Sequence, residues 1–527
     1  LKRLAQRWKA EPNAVRIEAQ KLAEAVAEAM RPLPPGPDLP DELVDASVRW
    51  SMGRYDTVWG GLRGAPKFPS SMSTHLLLRH ARRSGDRGVL DAAVLTLEKM
   101  QNGGINDQLG GGFHRYSTDE RWLVPHFEKM LYDNALLVQE YLAATQLTGR
   151  SDFADTVRFT LDYVLREMTR EDGPFYSATD ADSEGEEGTF FLWDLEQINA
   201  LLPVAVARSV VALWDVTQAG NFEHRNILWM PRTKAQVAAQ LKISEALLEE
   251  HLQQARERLY SVRAKRIKPG LDDKVMVDWN GLMIGAFARA SWVLEEPRYL
   301  KAAQRAAAFH VETMRNAKGR LHHSTKGGRK QAEAFLEDYA FLIHGLLELV
   351  QADGDPKWLV AARQLQELQD RHYGDARVGG WYLTAADQKV HIAREKPDYD
   401  GAIPSGNSFG LHNLIRLATL TGDAAYDASA RRCFKGLSRA IARGAMDHAL
   451  AAVERASDRP TEIVIVHPNQ GARTDLMTEV RALYLPNATI FELTEDQAKA
   501  LASEVPWIAG KLAIGGRSTA FVCERGV

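Results

Sequence analysis

Leu420-Thr-Gly-Asp-Ala-Ala-Tyr426 decides the fold, because the chain writes it several times over. Variants are Leu147-Thr-Gly-Arg-Ser-Asp-Phe153, Leu294-Glu-Glu-Pro-Arg-Tyr299 and Ala352-Asp-Gly-Asp-Pro-Lys-Trp358, with Ser84-Gly-Asp-Arg-Gly-Val-Leu90 as a looser copy. In each, Gly or Pro breaks one apolar-periodic helix, and an aromatic or Leu opens the next. The last two intervals, Tyr299 to Trp358 and Trp358 to Tyr426, are about 60–70 residues, the length of a helical hairpin with its loop.

A second set of signals falls at the opposite end of these hairpins: Gly110-Gly-Gly-Phe-His-Arg-Tyr116, Gly173-Pro-Phe-Tyr176, Gly319-Arg-Leu-His322 and Gly379-Gly-Trp-Tyr382. After each, a helix opens with a shared grammar, as in Tyr132-Asp-Asn-Ala-Leu136, Asp278-Trp-Asn-Gly-Leu282, Asp338-Tyr-Ala-Phe341 and Asn407-Ser-Phe-Gly-Leu411. A repeat built on a helical hairpin must bury its apolar face against neighbours, as an open solenoid or as a closed ring. Clustering of the Gly-aromatic loops at one end predicts closure: a mainly α protein, an (α/α)6 toroid of six hairpins over residues 41–450. The repeat skips about 194–264, which reads as an inserted helical subregion. Residues 1–40 read as a helix, already under way at Leu1, followed by a linker in which Pro32, Pro34, Pro35 and Pro37 forbid helix. From 451 to 527 the β-branched runs Thr461–Val466, Thr489–Leu493 and Thr519–Cys523 predict a small α/β appendage.

Composition excludes several function classes. The 527 residues carry 66 basic and 69 acidic side chains, net charge -3, and no long basic stripe, so neither nucleic acid nor an anionic lipid surface is expected as a partner. No apolar run approaches the roughly 20 residues that span a bilayer, and no signal peptide opens the chain. Cys433 and Cys523 are far apart and lack CxxC spacing, which fits a reducing, cytoplasmic setting. Because the chain opens on Leu1 rather than a methionine, a longer natural protein is expected.

Residues able to do chemistry concentrate in five stretches. In the first, glycines surround Asp107, His114, Arg115 and Tyr116, and Trp122 leads on to Pro125. From there His126, Lys129 and Asp133 recur at three and four residues, expected on one face of a helix, with Glu128 and Tyr132 on an adjacent face. A histidine beside carboxylates makes a proton-transfer pair; a core histidine bonded to a carbonyl is the competing reading of His126. The second, Ser177–Gly188 and on to Trp193, holds Asp180 and Asp182 in an acidic glycine loop that lacks the bidentate Glu of a calcium site. The third holds Lys274, Asp278, Trp279 and Asn280, where Asp278 also suits a helix cap. Asp338-Tyr339 is the fourth, and Asp398–Asn407 with Asp400 and Asn407 the fifth. Ser405 has no nucleophile elbow around it. No zinc spacing and no phosphate loop occur, so no metal or cofactor is expected. Closure of the ring brings carboxylates, amides and aromatic planes to one mouth, a surface suited to a polyhydroxylated ring. The expected acid–base groups are Asp107, His126, Asp133, Asp180 and Asp278; the other residues named in these stretches are expected to bind a sugar-like substrate.

Gly64-Ala-Pro-Lys-Phe-Pro69, Gly110–Tyr116, Pro125-His-Phe-Glu-Lys-Met-Leu-Tyr-Asp-Asn-Ala135, Ser177-Ala-Thr-Asp-Ala-Asp-Ser-Glu-Gly185 and Asp272-Asp-Lys-Val-Met-Val-Asp-Trp-Asn-Gly-Leu282 resemble the spermatogenesis-associated, thioredoxin-domain-containing proteins found from bacteria to animals. The resemblance covers nearly the whole chain. It implies an N-terminal thioredoxin-like domain followed by a six-hairpin domain related to glycosidases and N-acylglucosamine epimerases. The thioredoxin-like part and its paired cysteines have no counterpart here, and residues 1–30 look like its tail. Two functions are therefore expected in competition. One is a carbohydrate-active enzyme, hydrolase or epimerase. The other is a non-catalytic glycan- or protein-binding scaffold for the thioredoxin-like domain of the full-length protein.

Overall fold

In the computed structural model, residues 2–40, 42–458, 461–470 and 474–524 are described. Leu1 and residue 41, expected as the starts of the first helix and of the body, lie outside them.

Twelve helices build the body: α1 (Leu43–Arg54), α2 (Thr74–Ser84), α3 (Arg87–Asn102), α4 (Leu131–Thr148), α5 (Ser151–Glu167), α6 (Val277–Val293), α7 (Pro297–Glu312), α8 (Leu336–Asp353), α9 (Pro356–Tyr373), α10 (Gly406–Thr421), α11 (Ala424–Ala442) and α12 (Asp447–Ser457). The even-numbered helices pack in sequence, α2 on α4, α4 on α6, α6 on α8, α8 on α10, α10 on α12, and α12 returns to α2. The odd-numbered helices form an outer layer, so the molecule is an (α/α)6 toroid. Ser47 of α1 reaches Asp447 of α12 at 3.3 Å, and Arg79 Nε of α2 reaches Glu454 Oε2 of α12 at 2.6 Å across the closing seam.

Sequence dictates which layer a helix joins. α6 is buried on nearly every side, as expected of a helix apolar all round. α7 buries only Tyr299, Ala302, Ala303, Ala306, Ala307 and His310, one stripe at helical spacing. The repeated turn closes the inner helices α2, α4, α6, α8 and α10. Gly422 takes φ +69°, the left-handed cap that only glycine enters freely, and the Asp423 carboxylate then accepts the Ala425 N–H at 2.8 Å to start α11. Inner helices accordingly begin at one end of the ring, the mouth, and finish at the other.

α6 and α8 cross so closely that a Cβ on Gly281 would lie 2.3 Å from the Phe341 carbonyl carbon, and one on Gly345 would lie 2.4 Å from the Gly281 oxygen. Gly281→Ala should therefore push the two helices apart and cost about 1–3 kcal/mol, read from the shift of a urea unfolding curve. An unshifted curve would show that the crossing yields without loss.

Between α5 and α6, helices Leu195–Leu201, Val204–Leu213, Lys234–Leu241 and Glu245–Arg263 pack around their own apolar cluster, which includes Trp193, Trp214 and Leu252. At the far end β1 (Thr461–His467) pairs in parallel with β2 (Thr489–Thr494) and antiparallel with β3 (Thr519–Glu524). This appendage is fastened to the ring by Gln146 donating to the Arg481 carbonyl at 2.8 Å and Trp507 donating to the Thr419 carbonyl at 3.1 Å. Residues 483–490 thereby plug the ring opposite its mouth. Among the described residues, no helix is long and apolar enough to cross a membrane.

Candidate functional site

The shared grammar at the inner-helix openings has a mechanical meaning. Asn134, Asn280 and Asn407 each sit in the first turn of an inner helix, fully buried. Asn134 accepts the Phe113 N–H at 2.7 Å and donates to the Phe113 carbonyl at 3.2 Å. Asn280 holds Phe175 in the same way at 2.8 and 2.9 Å, and Asn407 holds Trp381 at 2.8 and 2.8 Å. Each amide clamps the backbone of the aromatic residue in a Gly-aromatic loop. Where α8 has no such asparagine, the Tyr339 hydroxyl accepts the Leu321 N–H at 3.1 Å instead.

Asp107 lies behind the mouth. Arg263 donates to its two oxygens at 2.7 and 2.8 Å, Lys129 donates at 2.8 Å, and the Leu109 and Gly110 N–H groups add two more bonds. Burial opposes its ionisation, but the Arg263 and Lys129 charges hold it well below the ordinary carboxylate range. His114 packs nearby with Nδ1 at 2.8 Å from the Phe127 carbonyl, and burial pulls it down to about 3. Trp122 and Trp193 are 1% and 0% exposed and present no free face.

The expected helical face through His126, Lys129 and Asp133 does not form. Pro125–His126 and Lys129–Met130 are short extended segments, and α4 begins only at Leu131. Lys129 in the extended form turns inward to Asp107, while His126 turns outward, its Nδ1 2.7 Å from Glu187 and its ring stacked on Tyr116 at 5.1 Å. Glu128 pairs with Arg115 at 3.1 Å. Asp180 Oδ1 accepts the next backbone N–H at 2.7 Å, Asp182 is exposed in a short hairpin, and Lys274 pairs with Asp272 at 3.1 Å.

Asp278, Asp338 and His323 meet at the start of α6 and α8, one potential ligand atom of each within 4.8 Å of the others. The trio has the donor set of a small cation site. Asp338 is already engaged, however: it accepts the Asp278 and Phe335 N–H groups at 3.1 and 2.7 Å and lies 2.9 Å from His323 Nδ1. Burial pushes Asp278 well above the carboxylate range, and the Asp338 charge adds to the push. Burial opposes charge on His323, but the bond to Asp338 and its charge prevail and raise the imidazole to about 9. Trp279 meets Tyr132 edge to face at 4.8 Å beside this trio. Because the folded value exceeds the ordinary 6.5, the His323–Asp338 pair stabilises fully below pH about 6.5 and is lost as pH rises through about 9. Urea midpoints across that window should fall with pH in the wild type and flatten in His323→Gln. Equal slopes would show that the pair does not carry the dependence.

A column of space runs down the ring axis, and every inner helix contributes to it. At the mouth, Met72, His75, Asp133, Leu136, Glu140, Asp400, Asp447 and His448 border a cavity of ≈ 50 Å³. It continues into one of ≈ 80 Å³ walled by Arg79, Gln139, Arg289, His344, Glu348, Phe409, His412, Arg416 and Arg455. Of the residues expected from sequence, Asp133 and Asp400 border this column. Asp133 is buried with Oδ2 unpartnered, and burial raises it well above the usual range. Burial, then the Asp400 charge, pushes Asp447 up to about 6. Burial pushes Glu140 up to about 8, and its Oε2 has no partner. The same burial pulls His75, His412 and His448 down and takes His344 to about 3. His75 and His448 stack at 5.2 Å, and neither ring makes a hydrogen bond to another described residue. The signal for these groups lay in the sequence: His75 and Arg79, His344 and Glu348, and His412 and Arg416 are pairs at i and i+4 inside otherwise apolar helices.

No family model matches the chain. In the path of the chain it is similar to a D-mannose isomerase, with a TM-score of 0.48 and 11% identity over 76% of this chain and 87% of that one. It is likewise similar to an unsaturated glucuronyl hydrolase, with a TM-score of 0.44 and 8% identity over 77% and 82% of the two chains. The sequence likenesses run much higher. Spermatogenesis-associated protein 20 of Homo sapiens is 32% identical over 99% of this chain and 72% of its own length, and that of Rattus norvegicus is 31% identical over the same shares. With this identity carried along nearly its whole length, the chain belongs to the spermatogenesis-associated protein 20 family.

Proposed function

We propose that the axial column is the active site of an enzyme that moves a proton beside the carbonyl of a sugar-like, polyhydroxylated molecule. One observation carries the reading. Glu140, a carboxyl that burial pushes up to about 8, borders the same cavity as two stacked imidazoles without hydrogen bonds to other described residues, His75 and His448, which burial pulls down. Environments that push neighbouring titratable groups apart in pKa assign an acid and a base. An imidazole takes the proton from the carbon next to the carbonyl, and Glu140 protonates the oxygen or bonds to it. Gln139, Asp133, Asp400 and Asp447 supply hydrogen-bonding partners for hydroxyls, and Leu136 and Phe409 supply apolar contact for C–H faces. The resemblance to a six-hairpin domain related to glycosidases and N-acylglucosamine epimerases points the same way. A ring filled to its axis would have suited a scaffold; this one keeps its column open at the mouth. The thioredoxin-like domain implied for the full-length protein is a partner in this reading, not part of the chemistry.

The test is solvent exchange. The protein is incubated in deuterated water with a panel of aldoses, ketoses and their phosphorylated and oxidised derivatives, and loss of the proton next to the carbonyl is followed by proton NMR. Exchange with at least one compound, reduced by about 10²–10⁴ in His448→Asn, is expected. No exchange across the panel would sink the acid–base reading and return the scaffold to first place.

A further inference from the structure

The deep half of the column holds more positive charge than its own carboxylates neutralise. Arg79, Arg289, Arg416 and Arg455 all border it. Glu454 pairs with Arg79 at 2.6 Å, and Glu348 pairs with Arg416 at 2.8 Å. Arg289 and Arg455 form no ion pair of their own among the described residues, and the nearby Glu348 that acts on both is already bonded to Arg416. Arg455 Nη1 donates to the Pro486 carbonyl at 2.9 Å, and the Arg289 guanidinium lies 5.8 Å from the centroid of the Tyr484 ring. Two N–H groups here, Arg289 Nε and Arg416 Nη2, are buried without any hydrogen-bond partner. Among the described residues the one other acid bordering this end is Glu140, which burial pushes up to about 8, and the four histidines add no negative charge.

Unpaired cations and idle donors are costly to bury, and buried charges in folded proteins are paired. Among the described residues no carboxylate is left to complete the pairing, which points to an anion from outside the chain. Guanidinium groups present planar forks that match oxyanions two bonds at a time. Below the ≈ 80 Å³ cavity three of these arginines, Arg289, Arg416 and Arg455, border a further ≈ 40 Å³ closed off by Leu483, Leu485 and Pro486.

We propose that the molecule held in the column carries an anionic group, a phosphate monoester or a carboxylate, seated at the deep end on Arg289, Arg416 and Arg455. The inference rests on the acid–base reading for the other end of the molecule and adds what the deep end recognises. The anion anchors the ligand by its tail, and its carbonyl end then rises toward Glu140, His75 and His448. A six-carbon sugar charged at the carbon farthest from its carbonyl has that layout.

The experiment measures both binding and stabilisation on the full chain. Inorganic phosphate, glucose, glucose 6-phosphate and glucuronate are titrated by calorimetry and by thermal unfolding into wild type, Arg289→Met, Arg455→Met and Arg289→Lys. At least one charged sugar is expected to bind at least about tenfold more tightly than glucose. Inorganic phosphate is expected to raise the melting temperature of the wild type. Both effects are expected to fall in the two methionine variants and to be partly kept in the lysine variant. The two methionine variants remove unpaired cations and are expected to fold, which their unliganded melting curves establish. Preference for glucose 6-phosphate assigns a phosphate, and preference for glucuronate a carboxylate. Equal affinity for glucose and its charged derivatives, no stabilisation by phosphate and no binding of either charged sugar, or unchanged anion binding in folded Arg289→Met and Arg455→Met would each overturn the proposal. Anion binding without solvent exchange into any sugar leaves this site standing and removes the acid–base reading. Exchange into neutral sugars alone does the reverse.

Discussion

Asp107→Asn should cost the fold roughly 3–5 kcal/mol, the largest loss expected of any single polar substitution in the chain. The reason is the company Asp107 keeps. Its carboxylate is the shared anion of Arg263 and Lys129, and all three side chains are about 3% exposed. An asparagine of the same size leaves two buried cations facing one another with no carboxylate bonded to either, Glu167 acting on Lys129 only from a distance, and its amide nitrogen points at one of them. Arg263 closes the last helix of the insertion, and Lys129 precedes α4, so the loss falls on the joint between insertion and ring. Denaturation by urea should show either one transition at a lower midpoint or an early transition in which the insertion comes away. Arg263→Met in the same chain should return part of the stability, because it removes one of the stranded charges. A midpoint for Asp107→Asn within about 1 kcal/mol of wild type would mean that the three charges are solvated far better than their burial indicates.

Glu140→Gln should lower the rate of solvent exchange by about 10²–10⁴ and change its dependence on pH. Glu140 acts with its proton on. Because burial holds it at about 8, the wild-type rate should stay level through neutral pH and decline above about 8, as the carboxyl ionises. The imidazoles act without a proton, and burial holds His75 well below its ordinary value, so it brings no loss of rate at mildly acidic pH. Glutamine keeps the size of the side chain and an N–H donor but cannot ionise. The residual rate of the variant should therefore lose the alkaline decline. A variant that retains the wild-type rate, or retains the decline at pH 8, would remove Glu140 from the reaction.

Much of the architecture was legible because it repeats. The turn around Gly422 and Asp423 needs a left-handed residue and then a cap, and few residue pairs supply both. The division into inner and outer helices was written in apolar residues all round α6 and in a single stripe on α7. The site was harder to see. Asn280 and Asn407 stood out as costly polar residues beside aromatic ones, and that cost turns out to secure loop backbone. Their recurrence, with Asn134, at the same place in three of the hairpins was the clue, since a catalytic residue has no reason to repeat around a ring. His126 and Lys129 show a different limit: helical spacing was read into a stretch whose backbone is extended, so neighbours in sequence face opposite ways. Apart from Asp133 and Asp400, the axial groups escaped notice because each inner helix gives no more than three, spread from His75 to Arg455. Only ring closure, which no local stretch encodes, brings them to one axis.

Closure also sets a timetable for synthesis. The seam joins Arg79 to Glu454, 375 residues later. At about 5–20 residues per second, translation separates the two by roughly 20–75 s. Throughout that interval the nascent chain is an open arc with two unpaired ends. The face of α2 that will look onto the axis, with His75 and Arg79, has no opposite wall while it waits. Contacts of such long range make assembly slow, and they leave the growing arc free to stack on the arc of a neighbouring nascent chain. The last hairpin to leave the ribosome is therefore the one that turns a sticky crescent into a sealed ring.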